Sequence, residues 1–348
     1  MIIISTYVKP GKALEFDNAP DFLVACMRYQ RTLQGLSPTS VMTNFTSLRE
    51  FFQWLTVYQK TGMSPRTVQE LRAVDLLGMT IEEAINVKRS DIETYLFFCT
   101  ETLQNIEATR HKKLAAIRCF YNYVLDKKDD FGVSLEHNPA DAVSNPKLPK
   151  RQPVYLPEME RTSLLAAVHG DNADRDYAIL VLILTCGLRV SEVVNIQIQD
   201  VNFEAKTIRI RGKGNKERIA RMTDACRDAL QNYADVYRAE ATDNDQPSAA
   251  FFVSKKTGQH ITTRMIERIM QKNVNAAGIG GMGYTPHKLR HTTATILAKD
   301  GADLLVIQQI LGHESPTTTQ IYTHLGSEDI DKAIQKSSLT SIGSSEQK

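Results

Sequence analysis

Residues 176–194 read DYAILVLILTCGLRVSEVV, and this stretch decides how the second half of the chain folds. From Tyr177 to Cys186 nearly every residue is apolar, which predicts a fully buried element. Gly187 then permits a tight turn, and Ser191 lies near the start of the next predicted helix. An isolated arginine in such a turn, here Arg189, is most often a structural ion-pair partner. Whether Arg189 has a functional role depends on the other residues of the chain.

The rest of the second half mixes strand-like and helical patterns. Residues 207–222, TIRIRGKGNKERIARM, alternate Ile with Arg before a Gly/Asn/Lys turn and a return strand, which predicts a β-hairpin. A glycine-rich loop leads into a helix that begins after Pro286. Further helices are predicted at 223–240, 262–277 and Leu304–Leu311, the last of them ended by Gly312.

The first half is predicted to be helical. Apolar residues recur at three- and four-residue spacing in DFLVACMRYQRTL (21–33) and SVMTNFTSLREFFQWLTVYQ (40–59). Ser37 and Pro38 are placed to begin the second of these helices. Another helix is predicted from Asn105 to Leu125, and this half shows no strand-like alternation.

A proline-rich segment separates the two halves. Residues 137–157 contain five prolines, which remove backbone donors and disfavour helix in the residues before them. The predicted fold class is therefore two-domain and mainly α: an all-helical domain, then a mixed α+β domain with a small β-hairpin sheet. The predicted divisions are an N-terminal arm at 1–16, the helical domain at 17–136, a proline-rich linker at 137–152, the mixed domain at 153–336 and a polar C-terminal tail at 337–348.

Composition restricts the class of protein. Apolar residues make up 42% of the chain, enough for ordinary packed cores, but no apolar run approaches the length of a membrane span. The N-terminal MIIISTYVKPGK lacks the length and flanks of a signal peptide. Five scattered cysteines without a CxxC pair favour reduced thiols over a disulfide framework or a zinc site. These features predict a cytoplasmic protein with no membrane contact.

Positive charge is concentrated in three places, although the net charge is only +2. Seven Lys or Arg residues and one acid lie between Lys206 and Arg221. Two further basic groups occupy Arg110–Arg118 and Lys147–Arg151. Any one group is most simply a solvated surface, but three on one chain indicate a polyanionic partner.

Tyr322, in IYTHL, raises the question of chemistry. A tyrosine that attacks a phosphodiester needs cations around it, because the pKa of its phenol is about 10. Arginines suit the non-bridging oxygens, since a guanidinium stays charged and binds two oxygens at once. The departing oxygen needs a proton from a lysine or a histidine. The chain offers such groups in Arg189, Lys213, His287, Arg290 and His313.

Each of these residues alone has a simpler explanation. A tyrosine is most often a packed aromatic, a histidine after Leu-Gly is often a loop residue, and Lys216 is an alternative to Lys213 as the mobile lysine. The prediction depends on five motifs in order: GLRVSE, GKGNK, HKLR, LGH and IYTHL. In this order the chain resembles the tyrosine recombinases of the integrase family, with a layout like that of the Xer recombinases. The match covers about 150–326, and the helical half resembles the family's core-binding domain more diffusely.

The resemblance implies a role for each motif residue. Tyr322 would be the nucleophile that forms a 3′-phosphotyrosyl bond, and Arg189 and Arg290 would hold the scissile phosphate. Lys213 would be the general acid toward the 5′-oxygen.

His287 would act as an acid/base or phosphate-positioning group, and His313 would donate a hydrogen bond to the phosphate. Glu192 would orient Arg189 or support His287. This chemistry requires no metal and no cofactor.

The implied function is site-specific recombination of double-stranded DNA, with the two domains closing around the duplex. Strand exchange implies a homo-tetramer, or a hetero-tetramer with a second recombinase, and the segment DIDKAIQ near the C-terminus would pack onto a neighbouring protomer. Xer-like resolution of chromosome or plasmid dimers and integration or excision of a mobile element both remain open. The alternatives are a catalytically inactive DNA-binding protein of the same fold and a related type IB-like topoisomerase.

Overall fold

The computed structural model describes residues 14–147, 155–212, 217–239, 248–312 and 327–343. The chain divides into two compact units, residues 1–151 and 152–348. Most of the predicted N-terminal arm and part of the predicted linker lie outside the described residues, so the exact domain boundaries stay predictions. None of the described helices is long and apolar enough to cross a membrane.

The described part of the first unit is helical, as predicted, and contains no strand. Helix α2 begins where Ser37 and Pro38 indicated, because the Ser37 hydroxyl accepts a hydrogen bond from the backbone N–H of Ser40 at 3.1 Å. The core of the first unit is aromatic, with Phe51, Trp54 and Tyr95 fully buried. The helices are α1 Asp21–Thr32, α2 Pro38–Thr61, α3 Val68–Arg72, α4 Ile81–Ile85, α5 Arg89–Glu101, α6 Glu107–Asp126 and α7 Lys128–Phe131.

The second unit surrounds one buried helix with other helices and a small sheet. Its helices are α8 Glu158–Ala166, α9 Ala173–Cys186, α10 Val190–Val194, α11 Asp224–Asn232, α12 Thr263–Ala276, α13 Pro286–Lys299, α14 Leu304–Leu311 and α15 Ser327–Lys336. A π-helical stretch, Tyr233–Arg238, continues α11, and short 3-10 turns occur at Ile198–Asp200, Gly280–Met282 and Ser338–Ser341.

Helix α9 is the buried element that the opening stretch predicted. It is apolar around its whole circumference and packs against α11 and α13, which is how such a helix avoids water. It ends at Gly187, whose φ of 60° places it in the left-handed region. A Cβ at Gly187 would lie only 2.4 Å from Leu311 Cδ2, so glycine here also permits the end of α14 to approach. The turn before Arg189 is thus fixed by conformation and by packing.

The predicted hairpin is present as an antiparallel pair, β2 Thr207–Arg211 and β3 Glu217–Arg221. A third strand, β1 Val201–Asn202, pairs with β2 and was not predicted, because two residues carry no periodic signal. Ile208 and Ile210 of β2 point into the core, where they face Ala220 and Arg218 of β3. This register sends Arg218 to the buried side of the sheet.

The C-terminal segment differs from the polar tail that was predicted at 337–348. Leu339 is fully buried and Ile342 nearly so, and both join the core of the second unit. Ser338 also donates hydrogen bonds to the carboxylate of Asp300. The prediction was wrong for 338–343 because the many serines hid two apolar anchors. Packing onto a neighbouring protomer stays a prediction.

Candidate active site

Arg189 lies at the junction between the glycine turn and α10, where it is the N-cap residue. Its backbone N–H donates to Glu192 Oε2 at 2.8 Å, and its Nη1 donates to Glu192 Oε1 at 2.8 Å. Its Nη2 donates to the carbonyl of Gly312 at 3.0 Å. The side chain is still 43% exposed, so the guanidinium is held along one edge and open to solvent along another.

Arg290 belongs to α13 and is buried, with 5% of its surface exposed. Its Nη1 donates to the carbonyl of Gly187 and its Nη2 to the carbonyl of Leu311, each at 2.6 Å. Burial, together with the nearby charge of Arg189, lowers the pKa of Arg290 to about 10. The guanidinium therefore stays protonated at neutral pH.

The two arginines meet at the C-terminal end of α14. Arg290 binds the carbonyl of Leu311 and Arg189 binds the next carbonyl along the chain, that of Gly312. The last carbonyls of a helix lack partners within the helix and carry its negative dipole end, so cations are favoured there. The structure thus brings together two predicted site residues that are 101 positions apart in the sequence.

Glu192 is the anion that these cations share. Its carboxylate is almost fully buried and accepts from Arg189 and from both terminal nitrogens of Arg218, at 2.9 and 3.0 Å. Arg290 Nη1 lies 3.9 Å from the same group. Burial opposes ionisation of Glu192, but hydrogen bonds from Arg218 and Arg189 outweigh it and lower the pKa of the carboxyl below its ordinary value. The expectation that Glu192 orients Arg189 agrees with this geometry.

The sequence interpretation missed Arg218, which it counted only as part of a basic stretch. The signal that could have found it is the strand periodicity: residues 218 and 220 share the face of β3 that turns inward. An arginine on a buried strand face requires an anion beside it, because an unpaired buried charge is costly. Glu192 is that anion.

His287 lies in the first turn of α13, with an exposed side chain, three residues before Arg290. Residues three apart lie on neighbouring parts of one helix face, so His287 and Arg290 project from the same face. The role of His287 stays a prediction.

The remaining predicted site residues, Lys213, His313 and Tyr322, and the alternative Lys216, lie outside the described residues. Two of them adjoin described anchors in the sequence. Lys213 falls between the paired strands β2 and β3, and His313 directly follows Gly312. Their assignments rest on the sequence.

The basic groups form more intramolecular ion pairs than the sequence indicated. Five of the seven cations in the hairpin group are described, and each pairs with a carboxylate of the chain itself. The pairs are Lys206 with Asp224, Arg209 and Arg211 with Asp200, Arg218 with Glu192, and Arg221 with Asp331.

In the first unit, Lys113 is buried against Glu50, and Arg118 donates to the carbonyls of Ala140 and Val143. These residues stabilise the fold. Lys112 and Lys147, by contrast, are exposed. Among the described residues, no cluster of His, Cys, Asp or Glu has the makings of a metal site.

Comparison with known proteins extends the likeness beyond this site. A model of the phage integrase family matches residues 155–328. The chain is 33% identical over 342 residues to the tyrosine recombinase XerC of Caldanaerobacter subterraneus subsp. tengcongensis, a match that covers 97% of this chain and 93% of that protein. It is 36% identical over 306 residues to the XerC of Chlamydia caviae, covering 86% and 93%.

Among solved structures, the XerH site-specific recombinase bound to palindromic difH substrate is similar, with a TM-score of 0.62 and 20% identity. That similarity covers 90% of this chain and 94% of the other, and it concerns the fold. The family match spans half of the chain, and the XerC likeness spans nearly all of it. The chain therefore belongs to the phage integrase family of tyrosine recombinases.

Proposed function

We propose that this tyrosine recombinase cuts and rejoins duplex DNA at a specific site through a 3′-phosphotyrosyl intermediate on Tyr322. The observation that carries the proposal is the convergence of Arg189 and Arg290 on successive carbonyls directly before His313. Two fixed guanidinium groups beside one buried carboxylate form a cationic site suited to a phosphodiester.

The arginines would bind the non-bridging oxygens of the scissile phosphate. Negative charge gathers on these oxygens as the phenol attacks, so donors already fixed in place stabilise the transition state more than the ground state. Arg290 is held from both sides by backbone carbonyls and needs no rearrangement. The exposed edge of Arg189 leaves room for the phosphate.

Proton transfers complete the proposed reaction. The Tyr322 phenol would lose its proton as its oxygen bonds to phosphorus, and His287, on the Arg290 face of α13, would accept that proton or position the phosphate. Lys213 would donate a proton to the 5′-oxygen as the phosphorus–oxygen bond breaks. His313 would hydrogen-bond to the phosphate. The phosphotyrosyl bond replaces the broken diester, so rejoining reverses the same steps.

Duplex DNA is the proposed partner, and a tetramer of this chain, or of this chain with a second recombinase, is the proposed assembly. The XerH structure holds a difH substrate, and a lambda integrase dimer of similar fold, with a TM-score of 0.61, holds a COC′ core site. Specific binding of a duplex by the same fold supports the proposal. The proposed location is the cytoplasm.

The proposed biological role is Xer-like resolution of chromosome or plasmid dimers. The likeness to XerC across 97% of the chain supports it over the integrase of a mobile element. Excision genes and attachment-site repeats beside the gene would reverse this preference.

The experiment offers the full chain a nicked suicide duplex that carries the candidate site from its own flanking DNA. We expect Tyr322→Phe to bind this duplex like the wild type in a gel shift and to form no covalent adduct on a denaturing gel, because only the attacking oxygen is removed. Tyr155→Phe, which removes a hydroxyl bonded to Lys299 in the same unit, is the matched control and should form the adduct. An adduct from the Tyr322 variant would contradict the proposal.

A further inference from the structure

Arg218 lies where β3 passes the two predicted phosphate-binding arginines. It faces the buried side of the sheet opposite Ile210, and only 18% of its side chain is exposed. The hairpin connection that contains Lys213 lies just before β3 in the sequence. Arg218 therefore connects β3 to Glu192, the carboxylate that Arg189 also contacts.

Both terminal nitrogens of the Arg218 guanidinium donate hydrogen bonds to one carboxylate. Nη1 donates to Glu192 Oε1 at 2.9 Å and Nη2 donates to Oε2 at 3.0 Å. A bidentate pair of this kind fixes both the distance and the plane of the carboxylate. Arg189 uses the same two oxygens, with Nη1 on Oε1 and its backbone N–H on Oε2. The position of Arg189 is thus set by a carboxylate that Arg218 holds.

A second contact joins Arg218 to the anchor of Arg189. A Cβ on Gly312 would lie 3.0 Å from both Cζ and Nε of Arg218, so the arginine packs directly against the α-carbon of that glycine. The carbonyl of the same glycine accepts from Arg189 Nη2. Arg218 therefore supports both groups to which the Arg189 guanidinium is bonded.

We propose that Arg218 is a positioning residue for cleavage: it holds the Glu192 carboxylate in place, so that Arg189 keeps its outer edge directed at the phosphate. This inference rests on the proposed function of the site. Without Arg218, the buried Glu192 would be left to Arg189 and Arg290. Their guanidinium groups would then be drawn toward the carboxylate and away from the substrate.

The ionisation of Glu192 gives the proposal a signature that a merely structural residue would lack. In the wild type, the bonds from Arg218 and Arg189 keep the pKa of Glu192 low against the effect of burial. Removing Arg218 leaves the burial and raises that pKa, so the carboxyl gains a proton as the pH falls. A protonated Glu192 holds Arg189 poorly, and the variant loses activity toward acid pH. Among the described residues, the charged groups that face it are Arg189 at the start of its own helix, Arg218 on β3 and Arg290 on α13.

The test measures adduct formation by full-chain variants on the nicked duplex that the wild type cleaves. We expect Arg218→Gln to bind DNA normally and to form the adduct about 100-fold more slowly, since small misplacement of a phosphate-binding group costs about this much. Its rate should also fall more steeply than the wild-type rate from neutral to mildly acid pH. Arg218→Lys, which keeps the charge but not the bidentate geometry, should recover part of the rate.

Two further variants separate positioning from general damage. If Arg218 acts through Glu192, the double variant Arg218→Gln/Glu192→Gln should be no slower than Arg218→Gln alone. Arg227→Gln removes an arginine that also donates two hydrogen bonds to one carboxylate, here to a single oxygen of Asp228 on the surface of α11, and should leave the rate unchanged. A wild-type rate and pH profile in Arg218→Gln, or additive losses in the double variant, would overturn the proposal.

A crystal structure of Arg218→Gln tests the inference without relying on activity. We expect the Arg189 guanidinium to leave the Gly312 carbonyl. If Arg189 keeps its bonds to Gly312 and to Glu192 in that variant, the inference fails even if the chain cleaves DNA. If Arg189 moves but the wild type forms no adduct on any duplex, the proposed function fails while the structural coupling stands.

Discussion

At the scale of single residues, the two predicted phosphate-binding arginines are held in different ways. Arg290 is buried and donates hydrogen bonds to two backbone carbonyls, whereas Arg189 is half-exposed and forms an ion pair with Glu192. Arg290 thus supports the fold in addition to its proposed role in catalysis, whereas Arg189 contributes less to the fold. Substitution should separate these contributions.

We expect Arg189→Ala and Arg290→Ala each to slow adduct formation by roughly 100- to 1000-fold, the cost of losing one transition-state donor. Arg290→Ala should also lower the free energy of unfolding by about 1–3 kcal/mol, because it leaves buried carbonyls without a donor. Arg189→Ala should lower it less, because Glu192 keeps its two bonds from Arg218. Urea denaturation of both variants measures the difference. Equal losses of stability, or near-normal cleavage by either variant, would contradict this division.

At the scale of elements, the site depends on the ends of α9 and α14 and on the side of α13, which meet at one glycine. Gly187 closes α9, offers its carbonyl to Arg290 of α13 and lies against Leu311 at the end of α14. The packing is close enough that a single added carbon would clash with the Leu311 side chain, and that side chain and Thr293 beside it would have to shift.

We therefore expect Gly187→Ala to destabilise the chain by more than about 1 kcal/mol, since it adds a steric clash to the cost of a left-handed φ. Gly278→Ala is the matched control: its φ is also positive, at 72°, but its Cβ would meet nothing within 4 Å. The control should lose only the stability that a left-handed φ costs an alanine. Chemical denaturation compares the two, and an equal effect would show that the approach of Leu311 does not matter.

How far the sequence predicted these elements follows from the kind of signal each one carries. The long helices, the hairpin and the ends at Gly187 and Gly312 were predictable, because periodicity and helix-ending glycines are local. The pairing of Arg218 with Glu192 was not, because it joins a strand to a helix 26 positions away. The buried anchors at Leu339 and Ile342 were missed because isolated apolar residues in a serine-rich segment have no period.

At the scale of the whole molecule, the proposed chemistry depends on residues spread over the second unit. Arg189, Arg290 and their carbonyl anchors are already in contact, while Tyr322 is assigned from the IYTHL motif and from membership of the phage integrase family. The central claim is that the phenol oxygen of this tyrosine becomes bonded to the DNA.

The most direct measurement maps the residue that carries the DNA in the covalent adduct. Trypsin should release residues 300–332 as one peptide, since Lys299 and Lys332 bracket a stretch without Lys or Arg, and Tyr322 is its single tyrosine. After nuclease trimming, mass spectrometry should find a 3′-linked nucleotide on that peptide and at Tyr322. A nucleotide on any other residue, or on a peptide that lacks Tyr322, would contradict the account.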